Sequence, residues 1–307
     1  MKRILAAAAV LILSVAPGFA KPMTIGVTMA LFDDNFLTSV RQAMADHAKT
    51  IPELQVQFQD AQGDIGRQLS QVQNFVSQRV DAIVVNVVDT AATRNITKIA
   101  TDARIPLVYV NRQPDTKTLP PTVSVVASDD LVAGRLQMTE LARRLNGKGN
   151  VVLMLGDLAN NATHGRTAGN KEVLAKYPDI KVVEEQTANF ERTRAIDLMN
   201  NWLSKGTKID AVVSNNDEMA LGALIALRQA GRSPKQVLVG GIDATPDALA
   251  EMAKGDLAVT VFQDAKGQGR KALDNAVKLA RGEKVEQFDF VPYELVTPEN
   301  YRTFLNR

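Results

Sequence analysis

Side chains able to bind a neutral, hydroxyl-rich molecule recur along this sequence, and most of them follow a short apolar run. The candidate binding residues are Asp34, Phe36, Asn86, Asn111, Arg112, Asn160, Arg166, Phe190, Asn216, Asp243 and Gln263. Carboxylates accept hydrogen bonds from hydroxyl groups, Arg and Asn donate them, and an aromatic face can cover the apolar C–H side of a ring. As a set, these residues predict a site for a sugar-like polyol.

Each of these residues taken singly also has an ordinary structural explanation. Asp34 and Asn216 are of the types that cap helices or form turns, and Asn86 could hold a turn in place. Phe190 could belong to an apolar core. The prediction therefore rests on the collective pattern.

The elements that must position these side chains alternate between β-rich runs and amphipathic helical segments. Strands are predicted at residues 23–30, 53–59, 81–88, 105–110 and 122–127, and again at 150–155, 181–186, 209–214, 236–241 and 258–262. Helices are predicted between them, the last five at residues 163–176, 191–205, 218–230, 246–254 and 268–280. This alternation predicts an α/β protein with two similar, doubly wound parallel-sheet lobes. Ligands of such sheets bind beyond the carboxyl ends of the strands, where the polar residues fall.

Catalytic signatures are missing from the sequence. It has no G-x-S-x-G, G-x-x-x-x-G-K-[ST] or H-E-x-x-H pattern, no cysteine, and only the histidines His47 and His164. Asp34 and Asp243 could form an acid/base pair for glycoside hydrolysis, but neighbouring Asn, Arg and Gln residues should keep both ionised as acceptors. We therefore expect a binding protein without catalytic residues, metal or cofactor.

The first twenty residues predict export. Lys2 and Arg3 precede an apolar run over residues 4–16, and Gly18 and Ala20 are the small residues that a signal peptidase needs. Cleavage after Ala20 and a periplasmic location are expected, because the run is shorter than the ~20 residues of a membrane span. Of the 307 residues 287 would remain, enough for two domains, and the net charge of +2 would fall to zero. A neutral chain argues against nucleic acid as a partner.

Four segments resemble the periplasmic sugar-binding proteins of ABC transporters, in the type I group that includes ribose- and galactose/glucose-binding proteins. The segments are residues 32–36 (FDDNF), 110–114 (VNRQP), 215–223 (NNDEMALGA) and 241–246 (GIDATP), and the resemblance extends over residues 23–304. It implies that Asp34 accepts hydrogen bonds from ligand hydroxyls and that Phe36 stacks on the ring.

The same resemblance implies roles for most of the other candidates. Asn111 matches the galactose/glucose pattern, whereas Arg112 matches an arginine that binds ribose. Arg166 matches an arginine used by both, and Phe190 falls at the place of the second stacking aromatic. The second lobe's paired polar residues match Asn216 and Asp243, and Gln263 stands at the last crossing as in the ribose type.

Departures from the galactose/glucose pattern point to another ligand. Ala30 stands where that relative has a tyrosine, Asn160 and Ala162 replace its ligand histidine and aspartate, and a short turn at residues 145–149 replaces its calcium loop. The opening at residues 29–38 is instead similar to relatives that bind inositol or rhizopines. A cyclitol resembling myo-inositol is therefore favoured, with ribose or an aldohexose next.

The resemblance also implies an architecture and partners. One lobe would comprise residues 21–128 and 264–291, the other residues 129–263 and 292–307, joined by three crossings into a hinge. A monomer would close on its ligand and deliver it to an ABC permease, with a chemoreceptor as a further possible partner. Two alternatives stay open: a ligand-sensing regulator of the LacI kind, which needs an N-terminal helix-turn-helix, and a secreted sugar-processing enzyme.

Overall fold

The computed structural model describes residues 22–116, 118–233 and 236–307. The predicted signal peptide and its cleavage site after Ala20 lie outside these residues. The strands are β1 Met23–Met29, β2 Leu54–Asp60, β3 Ala82–Val85, β4 Leu107–Val110, β5 Val123–Ala127, β6 Lys148–Leu155, β7 Asp179–Thr187, β8 Ala211–Ser214, β9 Leu238–Gly240, β10 Thr260–Phe262, β11 Phe288–Phe290 and β12 Glu294–Val296. The helices are α1 Asn35–Ala48, α2 Ile65–Gln78, α3 Thr93–Asp102, α4 Asp130–Arg144, α5 Asn161–Leu174, α6 Arg192–Ser204, α7 Asp217–Gln229, α8 Pro246–Lys254 and α9 Ala265–Ala280.

The N-terminal sheet is parallel and has the order β11-β5-β4-β3-β1-β2 within the described chain. Its central strands are apolar throughout because both faces are covered. Val84 packs into a core with α1 and α9, whereas Ile83 and Val85 pack into a core with α2 and α3. Such two-sided burial is typical of a doubly wound sheet.

The C-terminal sheet repeats this arrangement with the order β7-β6-β8-β9 among the described strands. Alternate residues of β6 again pack into two different cores, one on each face of the sheet. Val152 packs on the side of α6, α7 and α8, and Val151 on the side of α4 and α5. β10 continues the layer through bridges to the β9 segment and pairs antiparallel with β12. The predicted α/β class with parallel sheets is confirmed.

Several element boundaries differ from the sequence prediction. Between the predicted strands at residues 81–88 and 105–110, where one helix is expected, the chain forms a short 3-10 turn, Thr90–Ala92, followed by α3. α9 begins at Ala265 rather than at 268, because the Asp264 side chain caps it by accepting from the Gly267 N–H at 2.8 Å. The short strands β11 and β12 were not predicted. As predicted, α8 begins at Pro246, capped by Thr245.

The described chain passes between the two sheets three times. It passes from β5 into α4 at residues 128–129, from β10 into α9 at 263–264 and from β11 into β12 at 291–293. As a result, α9 packs on α1 and the N-terminal sheet, and α4 packs on α5 and the C-terminal sheet. None of the helices in the described residues is long and apolar enough to cross a membrane.

Candidate ligand-binding site

A small cavity lies between the carboxyl ends of the two sheets. It encloses about 350 Å³ of space free of protein atoms, its opening included. Ten of the eleven residues predicted from the sequence line it: Asp34, Phe36, Asn111, Arg112, Asn160, Arg166, Phe190, Asn216, Asp243 and Gln263. Leu37 and Ala162, which were not predicted, complete the lining. The two sheets thus contribute facing polar groups to one enclosed space.

Asn86 is the predicted site residue that does not line this cavity. Its side chain is fully buried beneath the cavity, between β1, β3 and β4. Oδ1 accepts from the Ala30 N–H at 3.3 Å, and Nδ2 donates to the Val110 carbonyl at 3.1 Å and to Asn111 Oδ1 at 3.3 Å. Asn86 therefore supports the loop that carries Asn111, as its structural explanation predicts, and its contact with a ligand stays a prediction.

On the N-terminal side, Asp34 and Arg112 face the cavity as an opposite-charge pair. Asp34 caps α1, because its Oδ1 accepts from the Leu37 N–H at 2.7 Å. Arg112 is only 8% exposed and donates from Nη1 to the carbonyls of Val87 and Val88, each at 3.0 Å. These bonds fix the guanidinium at the end of β4.

On the C-terminal side, Arg166 lies at the centre of a buried polar network. Its guanidinium bonds to Asp130, to the Asn215 carbonyl, to Gln263 and to Tyr293, and Nη1 lies 3.7 Å from Asp243 Oδ1. Burial lowers the pKa of Arg166, but Tyr293, Asp130 and Asp243 more than offset this and raise it. The group is therefore a permanent cation inside the cavity wall.

Asp243 is held in an unusual backbone conformation, with φ of 124°. The loop that carries it is clamped by Asp217, the first residue of α7. Asp217 accepts from the Thr245 N–H at 2.8 Å and from Thr260 Oγ1 at 2.7 Å, and its own N–H donates to the Ile242 carbonyl at 2.8 Å. Local strain at this position is thus maintained by buried hydrogen bonds that aim Asp243 into the cavity.

The pKa values of the two carboxyl groups in the cavity are shifted upward, whereas the sequence analysis expected both groups to ionise readily. Neighbouring Arg and amide groups were expected to keep Asp34 and Asp243 readily ionised. Burial instead raises the pKa of both, and Arg112 beside Asp34 and Arg166 beside Asp243 only partly oppose this. Burial likewise raises the pKa of Asp217 to about 7. Removal from water is the dominant effect on these acids.

Asn160 and Asn216 both line the cavity while capping helices. Asn160 Oδ1 accepts from the Ala162 N–H at the start of α5, and Asn216 Oδ1 accepts from the Met219 N–H at the start of α7, each at 3.0 Å. Since each oxygen already accepts a capping bond, the amide NH₂ groups are the donors that these residues offer a ligand, and Asn216 Nδ2 uses one N–H to donate to the Phe190 carbonyl at 3.4 Å. At these two positions the same asparagine both caps a helix and lines the cavity, so its residue type alone could not separate the two roles.

Phe36 and Phe190 supply aromatic surface from opposite sheets. Both are half-buried and line the cavity. Phe190 has a left-handed backbone with φ of 65°, and its ring lies directly over Gly156, where any side chain would overlap it. His164, in contrast, is absent from the lining and contacts the Leu158 carbonyl through Nε2 at 2.9 Å.

A family comparison agrees with this geometry. A model of the periplasmic binding protein domain matches residues 25–284. The chain belongs to this family. The family resemblance inferred from the four sequence segments is therefore confirmed, and the cavity corresponds to the crevice at the carboxyl ends of the strands where open α/β sheets bind ligands.

Individual relatives show which members of this family the chain is similar to. The chain is 50% identical over 306 residues to a protein of Rhizobium meliloti assigned as a rhizopine-binding protein, covering 99% of this chain and 98% of that one. It is 31% identical to the ribose import binding protein of Bacillus subtilis, covering 91% and 89%. A solved structure of an ABC transporter solute-binding protein from Bacillus halodurans with bound myo-inositol is 45% identical in sequence and has a TM-score of 0.90. The match covers 94% of this chain and 99% of the Bacillus halodurans chain.

A second compartment, which the sequence analysis missed, adjoins the cavity. Asp33, Asn35, Asp157, Arg192 and Glu218 are among its lining residues, and it shares Asp34, Arg112 and Phe190 with the inner cavity. Asn35 Nδ2 donates to Glu218 Oε1 at 2.7 Å across the two sheets. These residues lie next to the predicted ones along the chain, so the signal was present, but nothing in their spacing showed which would meet across the cleft.

Other contacts also join the two sides of the cleft. The Thr90 N–H donates to the Ala159 carbonyl at 3.1 Å, and the Gln113 N–H donates to Asn161 Oδ1 at 3.3 Å. Since these bonds link the ends of the N-terminal strands directly to the start of α5, the described chain is in a closed conformation.

Proposed function

We propose that this protein is the receptor of an ABC importer for a cyclitol of the inositol or rhizopine class. A monosaccharide such as ribose or an aldohexose is the next candidate. The ligand would be captured between two closing lobes, residues 21–128 with 264–291 and residues 129–263 with 292–307. Only the closed form supplies contacts from both sides, so ligand binding favours closure.

The observation that carries this proposal is the composition of the closed cavity. Asp34 and Asp243 accept hydrogen bonds, Arg112 and Arg166 donate them, and Phe36 and Phe190 supply apolar faces. A ring that presents hydroxyl groups around its edge and C–H groups on its faces matches this arrangement. The related protein that binds myo-inositol at 45% identity supports a cyclitol over other polyols.

The proposal is binding rather than turnover, in the periplasm. Asp34, which is half-buried, and Asp243, which is buried, each face an arginine, and this arrangement suits fixed hydrogen bonding to hydroxyl groups. Export by a signal peptide cleaved after Ala20, a monomeric state and docking on a membrane permease belong to the same proposal, with a chemoreceptor as a further partner. Relatives that act in import support this assignment.

Thermal unfolding of the mature, ligand-free protein tests the proposal. The panel contains myo-inositol, scyllo-inositol, ribose, galactose, glucose and allose. A ligand at about 100 times its Kd adds about 2.7 kcal/mol, which raises the midpoint by several degrees. We expect a shift with a cyclitol; a shift with ribose or an aldohexose alone would replace the cyclitol assignment, and no shift at all would contradict the polyol site.

Two variants connect the shift to the cavity. Asp243→Asn should abolish it, because the buried acceptor facing Arg166 changes its charge. Asp102→Asn, at an exposed position of α3, is the matched control and should keep it. Nuclear magnetic resonance spectra of the ligand after long incubation should show no product; turnover that Asp243→Asn removes would favour the enzyme alternative.

A further inference from the structure

Arg166 connects the cavity to all three chain crossings. It lies on α5, outside the crossings, yet each crossing supplies it with a partner. Asp130 follows the first crossing and accepts from Nε at 3.0 Å, Gln263 stands at the second and accepts from Nη2 at 3.0 Å, and Tyr293 ends the third and accepts from Nη2 at 2.9 Å. The four side chains are between 3% and 8% exposed.

The N–H groups of Arg166 can be assigned one by one. A guanidinium has five, one on Nε and two on each terminal nitrogen. Among the described residues, Asp130 takes the one on Nε, Gln263 and Tyr293 take those on Nη2, and the Asn215 carbonyl takes one on Nη1 at 2.8 Å. The second N–H of Nη1 is left for the cavity, on the side where Asp243 Oδ1 lies 3.7 Å away. Arg166 thus offers a ligand a single directed donor.

Tyr293 and Asp130 form a closed unit around this guanidinium. The Tyr293 hydroxyl donates to Asp130 Oδ1 at 2.8 Å while it accepts from Arg166, so both residues contact the arginine and each other. Burial raises the pKa of Tyr293 well above its usual value, which keeps the phenol protonated as that donor. Because Nε and Nη2 are anchored on different partners, the plane of the guanidinium cannot rotate without breaking a buried bond.

We infer that Asp130 and Tyr293 are positioning residues that preorganise Arg166 for the ligand. Neither residue lines the cavity. Arg166 lies on α5, and its three side-chain partners lie at the C-terminal-sheet ends of the crossings, so the arginine holds its ligand-facing orientation before the lobes close. This inference rests on the proposed function of the cavity, and it adds the residues that set the direction of one of its donors.

The test compares two tyrosines that each lose a buried hydroxyl. Tyr293→Phe keeps the ring and removes only the bonds to Arg166 and Asp130. Tyr109→Phe is the matched control, because Tyr109 is also buried and its hydroxyl bonds to the Thr93 carbonyl and to Thr97, each at 2.8 Å, in the core beside α3. Calorimetric titration with myo-inositol should show affinity about tenfold weaker for Tyr293→Phe and unchanged for Tyr109→Phe.

A second background separates positioning from a general loss of structure. In the Arg166→Lys protein, adding Tyr293→Phe should weaken affinity less than twofold. The effects of two substitutions on affinity are not additive when one residue acts through the other. Equal losses in both backgrounds, or equal losses for the two tyrosine variants, would overturn the inference.

A ligand-free measurement keeps this inference distinct from the proposed function. The Nε–Hε resonance of Arg166 is assigned by its disappearance in Arg166→Lys. Its hydrogen exchange should be at least tenfold faster in Tyr293→Phe than in wild type or Tyr109→Phe, and unchanged exchange would refute the positioning role. If wild type fails to bind myo-inositol, the cyclitol assignment fails, and this exchange rate still decides whether Tyr293 holds Arg166.

Discussion

Replacing Asn86 with alanine is expected to reduce the stability of the protein far more than its affinity for ligand. The Asn86 side chain is fully buried and satisfies two backbone groups on neighbouring strands, the Ala30 N–H and the Val110 carbonyl. Alanine leaves the Ala30 N–H without this partner in a place that water does not reach, whereas the Val110 carbonyl keeps its bond from the Arg112 N–H at 2.8 Å. The contact with Asn111 is the route by which the change would affect the cavity.

The two effects differ in size. A buried polar group left without a partner costs about 1–3 kcal/mol, and the lost bond to the Val110 carbonyl costs about 0.5–1.5 kcal/mol, so the free energy of unfolding should fall by about 1.5–4.5 kcal/mol. Loosening Asn111 removes one ordinary hydrogen bond, worth about 0.5–1.5 kcal/mol, which is about a tenfold loss of affinity at most. A residue that touched the ligand directly would show the opposite order.

Urea denaturation of the ligand-free protein and calorimetric titration with the best ligand of the panel measure the two effects. Asn95→Ala, at an exposed position of α3, is the matched control and should change neither. If Asn86→Ala lost a hundredfold in affinity while its unfolding free energy stayed within 1 kcal/mol of wild type, our account of Asn86 as a support would be wrong.

Three further predictions concern the cleft and its acids. Asn35→Ala removes the 2.7 Å bond to Glu218 across the closed cleft, so ligand dissociation in stopped-flow experiments should become about two- to tenfold faster with little change in association; an unchanged dissociation rate would contradict this. Burial raises the pKa of Asp34 and Asp243 above the ordinary carboxyl value of about 3.9, and hydroxyl donors favour the ionised acceptors, so affinity should already fall on acidification at pH values above that ordinary value; a pH-independent Kd would be evidence against it. Asp217 has a pKa of about 7 when folded against about 3.9 unfolded, so the folded state holds more protons between these values, and the free energy of unfolding should fall as pH rises from 4 to 7. Asp217→Asn should flatten that slope in urea titrations, and an unaltered slope would assign the effect to another group.

The main elements of the fold could be predicted from the sequence because each buried strand is a continuous apolar run. The run around Val84, flanked by helical periodicity, is the clearest case. The strands β11 and β12 could not be predicted in this way. Each has three residues, their pattern is short and mixed, and only pairing with a distant strand makes them extended. Tertiary context decides such segments.

The sequence was sufficient to predict which strand ends carry the residues of the site. Polar residues that follow parallel strands meet at one edge, and this rule placed Asp34 and Asp243 together although 209 positions separate them. The rule cannot say which side of the loop a side chain faces, and Asn86, although it also follows a strand, is buried and does not line the cavity. It also could not find Asp130 and Tyr293, because their only signal is proximity to a crossing that the fold itself creates.

The position of β11 also has a consequence for how the chain is made. β11 pairs with β5 through Phe288 and Val125, and α9 fills the core beside α1 with Ala272 and Leu273. The first half of the molecule therefore stays incomplete until almost the whole polypeptide has been synthesised, since its last strand ends at Phe290. Contacts so distant in sequence form slowly. A fragment ending at residue 128 would leave the outer edge of β5 unpaired and one face of the N-terminal sheet without α9, so this sheet would stay partly exposed to water until residues 265–290 have been synthesised.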